Sequence, residues 1–182
     1  MNINSNNNLH FGMAYRMKGD AAKRVAEYCQ EMLNPKETEE YFIKMANELK
    51  KLTTEVIAEG GDVRVVDPIT KQVYKMTDSP AWRVGDSGRV IKYPVEAEAH
   101  CGTQPAKVNI DVAYPDDQSK TCSPAWESNY VYDGIFRKHI HALEIAKEFD
   151  RLAAIDAANK AAELAKAESI TSRADKFTEL FG

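Results

Sequence analysis

The chain is poor in the residues that usually announce chemistry. It has three cysteines in 182 residues, no C-x-x-C or H-x-x-x-H spacing, and therefore no expected zinc site. Its lysines and arginines are scattered, with no run longer than Lys50-Lys51, and the net charge is −4. Nucleic acid and anionic membranes reward clustered positive charge, so the composition argues against both as partners. No apolar window approaches the length of a membrane span. Met1 to Asn8 (MNINSNNN) has neither the basic nor the apolar region of a signal peptide. Glycine pairs do not form a phosphate loop: Gly60-Gly61 precedes a strand pattern, and Gly85 to Gly88 lacks the lysine and helix that a P-loop needs.

What is present describes a globular domain. The apolar fraction is 43% and the charged fraction 29%, and a chain of this length can bury a core without staples. Cys29 falls on the apolar face of an expected helix, where a reduced thiol acts as a small hydrophobe. A reducing, cytoplasmic setting follows, with a Cys101–Cys122 disulfide as the alternative.

Periodicity sets out the elements. After a polar arm (1–8), Leu9 to Met17 alternates like a strand, although an apolar arm packed on the core is the preferred reading. Asp20 is a suitable cap for a helix to Leu33 with Ala22, Val25, Ala26, Cys29, Met32 and Leu33 on one stripe. Asn34-Pro35, with Glu37 at capping-box spacing, starts a second helix. Its seam Phe42, Met45, Leu49, Leu52 and Val56 carries it to Glu59, with Gly60-Gly61 as the stop. The two helices form an αα-hairpin.

After Gly61 the period changes to two. Strands are expected at Asp62–Asp67, Lys71–Met76, Arg89–Ala99 and Ala106–Tyr114, with an Asp67-Pro68 turn and with Pro94 marking an edge or a break. Pro115 to Tyr132 is a long connection. Asp133 to Glu168 then reads as one long helix, and Ser172 with Asp175 as the start of a short terminal helix. The fold class is α+β: an N-terminal αα-hairpin, an antiparallel sheet of about four strands, and a long C-terminal helix. Residues 9–168 make the domain, and 169–182 a short helical tail.

That long helix carries the functional expectation. Its 36 residues would span about 54 Å, against a diameter of about 40 Å for a compact chain of this length, so it overhangs by about two turns. Its first half (Ile135 to Leu152) is broadly apolar and belongs to the core. Its second half repeats alanine every four residues at Ala153, Ala157, Ala161 and Ala165, beside Leu164, which would let another helix approach closely. The plainer account is that alanine is the best helix former.

Trp82 and Trp126, each in a Pro-Ala-Trp segment, and Tyr130 are further candidates for partner contact, although tryptophans in such places more often plug the edge of a core. The leading expectation is therefore a non-enzymatic interaction or assembly module. It would act on a protein partner or a second copy, through the long helix and the 115–132 loop, with no cofactor and no metal.

The rival is a small cysteine–histidine hydrolase or transferase with Cys101 as nucleophile, His139 as base and Asp133 orienting it. Adjacent strand residues face opposite ways, so His100 is badly placed to serve Cys101. A half-buried thiol is the commoner explanation of such a cysteine. A nucleic-acid binder is the third class, and it would need a basic stripe assembled by the fold.

Overall fold

The computed structural model describes residues 14–80, 92–113 and 132–182, with the side chains of residues 92, 101 and 113 outside that description. Six strands form one mixed sheet in the order β1 to β6: β1 (Tyr15–Lys18), β2 (Val56–Glu59), β3 (Asp62–Val66), β4 (Val73–Met76), β5 (Lys92–Cys101) and β6 (Gln104–Ala113). Between β1 and β2 lie the helices α1 (Ala21–Glu31) and α2 (Pro35–Lys51), and the chain closes with α3 (Gly134–Phe181). β1 and β2 are parallel, with Tyr15 beside Val56, and the other neighbours are antiparallel. The architecture is the expected α+β, with six strands in place of four.

Tyr15–Lys18 is a strand and not a packed arm. The αα-hairpin acts as the crossover that a parallel β1–β2 pair requires. The second helix ends at Lys51, eight residues before the expected stop. Val56 continues the three-and-four spacing of Leu49 and Leu52 by coincidence. Its own neighbourhood has period two, with Val56 and Ala58 buried and Glu59 exposed. Thr53, Thr54, Val56 and Ile57 are β-branched and resist helix. Gly60-Gly61 is thus the turn of the β2–β3 hairpin, with Gly60 at φ +59°.

The α1 and α2 starts lack the side-chain caps expected from Asp20 and Asn34. Asp20 pairs instead with Arg24 at 2.9 Å. The Asp67 turn forms as its chemistry implies: its carboxylate accepts from the backbone N–H groups of Ile69 and Thr70, at 2.8 and 3.2 Å.

β5 and β6, ten residues each, form a hairpin turning at Gly102 (φ +75°). Pro94 does not break β5. β4 pairs only with Ala97 to Ala99, so the missing N–H of Pro94 falls beyond its reach.

The buried faces of the strands (Val56, Ala58, Val63, Val65, Met76, Val95, Ala97, Val112) meet the first part of α3, which also packs against α1 and α2. Phe136, Ile140, Ile145 and Ala146 are fully or almost fully buried there, and Phe42, Met45 and Leu49 cover them from α2. Leu152, expected in the core, is 39% exposed because the body ends there. α3 is also longer than expected. No break occurs at Ser169, no second helix begins at Ser172, and the helix runs 48 residues, about 72 Å, to Phe181. Long as it is, among the described residues no helix is both long and apolar enough to cross a membrane.

Candidate interaction surface

Two segments of α3 have different surroundings. From Phe136 to Phe149 the helix is mostly buried, with Lys147 exposed, and Asp150 fixes its exit. The Asp150 carboxylate accepts from the backbone N–H of Thr53 (2.9 Å) and of Thr54 (2.8 Å), and from the hydroxyls of Thr53 (2.8 Å) and Thr54 (2.6 Å). Burial alone would raise its pKa, but the bonds from Thr54 and Thr53 hold it below the usual carboxylate value. The latch joins α3 to the α2–β2 connection and sets the direction in which the rest of the helix leaves the body.

From Ala157 to Phe181 every residue is exposed. These 25 residues project by about 37 Å, or seven turns, far beyond the two expected. Ala157, Ala161 and Ala165 are exposed along this stretch, Leu164 is 62% exposed, and Ala153 is half-buried at the point of departure. Local support comes from an Asp156–Lys160 pair of 2.7 Å at i,i+4. The projecting part carries four basic residues (Lys160, Lys166, Arg173, Lys176) and four acidic ones (Glu163, Glu168, Asp175, Glu179). This balance gives it no net attraction for phosphate backbones or anionic lipid.

The far end carries an apolar stripe that runs through the expected boundary near Ser169 into the segment expected as a short terminal helix. Ile170, Phe177, Leu180 and Phe181 are 58%, 62%, 65% and 84% exposed, and the rings of Phe177 and Phe181 lie 6.5 Å apart on one face. The signal was available: Ala167, Ile170, Ala174, Phe177 and Phe181 alternate steps of three and four. A helix break assumed near Ser169 divided the pattern.

The remaining candidates are dispersed. His139 is fully buried. Its Nδ1–H donates to the Ile135 carbonyl at 2.7 Å, so its Nε2 accepts from the Tyr15 hydroxyl at 2.9 Å. Burial lowers its pKa to about 4, and neither ring nitrogen is left to serve a thiol. Asp133 is the residue before α3, and its carboxylate accepts from the Tyr28 hydroxyl at 3.1 Å. The backbone of Cys101 ends β5 opposite Gln104, and its thiol lies outside the described residues. Outside them too are Trp82, Trp126, Tyr130, Cys122 and the connection through residue 131.

Cys29 is a free, buried thiol at the floor of an apolar groove between α1 and α2, bordered by Val25, Pro35, Phe42 and Ile43. Burial, then the charge of Glu39, raises its pKa, which makes it a poor nucleophile. Among the described residues no group of three or more histidine, cysteine or acidic side chains is placed to hold a metal.

Comparison with protein-family models, curated proteins and solved structures finds no match to any of the three.

Proposed function

We propose that this protein is a non-enzymatic assembly module whose α+β body presents the projecting half of α3 to another protein. The supporting observation is the exposure of every residue from Ala157 to Phe181. Most helices in proteins draw their stability from packing an apolar face and not from propensity alone. The exposed apolar side chains Ile170, Phe177 and Phe181 supply such a face. Ala157, Ala161 and Ala165 allow close backbone approach on another side of the same helix. The buried, doubly engaged His139 gives no comparable support to a cysteine–histidine enzyme. A reducing, cytoplasmic setting belongs to the same proposal and is supported by the free thiol of Cys29.

The test uses the full chain. Light scattering reports self-association, and immobilised protein recovers partners. The same measurements on Leu164→Glu and Phe177→Glu variants show whether binding depends on α3. A monomer that recovers no partner, or binding indifferent to both substitutions, counts decisively against the reading.

A further inference from the structure

The stripe near the end of α3 is specific enough to suggest what covers it. Ala167, Ile170, Ala174, Phe177 and Phe181 are separated by three, four, three and four residues, which is the spacing of a coiled-coil seam. Such a seam fits a partner helix with the same repeat. Nearer the body the same face carries Glu163, Lys160 and Asp156, so the apolar seam is confined to the part of the helix farthest from its own core. No described element lies alongside it.

We infer that the occupant is the same segment of a second copy of this chain, running antiparallel, with Phe177 against Ala174 and Phe181 against Ile170. This rests on the assembly reading and adds partner, direction and register to it. The argument is one of bulk and charge. In this register the two-fold axis passes between Asp175 and Lys176, and four layers form: two of Ala174 with Phe177 and two of Ile170 with Phe181. No charge lies in any layer. Each central layer sets a small side chain against a large one, as dense packing of facing positions favours. A parallel, in-register pair would stack Phe177 on Phe177 and Phe181 on Phe181 in two successive crowded layers, with an empty Ala174 layer beside them. An antiparallel register one heptad further toward the body would set Glu163 against Phe181 and bring the two Arg173 side chains together near the axis. The chosen register instead places Arg173 beside Leu180 of the second copy, whose exposed side chain covers the arginine stem. The overlap is short, about three turns, so the dimer is weak and concentration-dependent.

Sedimentation velocity on the full chain over a wide concentration range should show the mass rising from 20.4 kDa toward twice that value. Ile170→Glu combined with Phe177→Glu should weaken the association by more than about tenfold, while leaving the thermal midpoint of the body unchanged, since both side chains are remote from the core. Direction is read by oxidative cross-linking in a Cys29→Ala, Cys101→Ser, Cys122→Ser background. A mixture of Ala174→Cys and Phe177→Cys chains, one of them tagged, should give mainly the mixed dimer. The sedimentation readout in the native-cysteine chain stands even if that background folds poorly. A monomer at every concentration overturns the inference, as does cross-linking of Ala174→Cys chiefly to itself. A monomer that captures a different protein through Ile170 and Phe177 also overturns it, while leaving the assembly reading in place. A monomer whose binding ignores both residues removes the two together.

Discussion

The hydroxyl of Tyr15 in β1 and Nε2 of His139 in α3, 124 positions apart, lie 2.9 Å from each other inside the core. The bond joins the first described strand to the central helix, and Phe42 of α2 packs edge-on against the same imidazole. With Nδ1–H committed to the Ile135 carbonyl, the ring is held neutral and in one tautomer.

Stability should therefore depend on acid. His139 and His141 both have folded-state pKa values lowered by burial from 6.5 to about 4. The unfolded chain binds the extra protons between these values, so stability is complete above about pH 6.5 and falls as pH drops toward 4. Each histidine accounts for at most about 3 kcal/mol of that loss. Thermal midpoints between pH 7 and 4.5 should show the decline, and His139→Leu should remove about one proton from its slope. An unchanged slope would mean that His139 is accessible and charged in the folded state.

Tyr15→Phe keeps the ring packing and deletes the donor to Nε2. A buried acceptor left without its partner costs about 1–3 kcal/mol. Urea unfolding should detect the loss in full at pH 7, where His139 is neutral.

Asp150→Ala removes the acceptor of four hydrogen bonds and strands the Thr54 N–H at a buried position. The expected loss is about 2–3 kcal/mol, in the range for bonds to a charged group. Asp150→Asn should retain part of it, because the amide oxygen still accepts. Since the folded-state pKa is lowered, this stability is present above the ordinary aspartate range and is lost as pH falls through the depressed value. Equilibrium unfolding of both variants at pH 7 measures the difference.

Ala161→Gly and Ala142→Gly should separate the two halves of α3. Each lowers helix propensity by about 1 kcal/mol. Ala142 is fully buried, so its substitution also opens space in the core and should lower the unfolding midpoint. Ala161→Gly should reduce helicity at 222 nm and speed amide exchange across 157–181, with the body's midpoint unmoved. A matching drop in midpoint would show that the projecting part unfolds together with the core.

Gly60 adopts φ +59° at the β2–β3 turn, and its missing Cβ would meet nothing closer than 3.6 Å. Gly60→Ala is thus a test of conformation without a clash. The left-handed region should cost about 1–2 kcal/mol, visible as a lowered urea midpoint with an unchanged slope.

The elements with strong local signals were legible. Phe42 to Leu49 and Val108 to Val112 repeat at the period of the element they form, and the Asp67 turn follows from side-chain hydrogen bonding over three residues. The first helix forms, but it buries Ala21, Val25 and Cys29 and leaves Ala22, Ala26 and Leu33 of the expected stripe exposed. The misreadings arose where two patterns overlapped or where a local stop signal met a stronger helix. Val56 satisfied the helical spacing of α2 but is paired with Tyr15 and Val65, contacts that no local window contains. Ser169 to Ser172 resembled a boundary, yet α3 continues through it. For the candidate site, the alanine ladder is visible in the sequence, whereas the seam ending at Phe181 is divided by the apparent boundary near Ser169.

The amino-acid sequence by itself determined the α+β class, the αα-hairpin and the existence of a long final helix, because each depends on periodicity within about twenty residues. Tertiary structure decided the parallel pairing of Tyr15 with Val56, the burial of His139 against Tyr15, and the length of α3 that stands clear of the body. These depend on which distant segments meet. Residues 134–149, apart from Lys147, are at least partly covered by the body, and 157–181 by no described element, though both stretches are helical for the same local reasons.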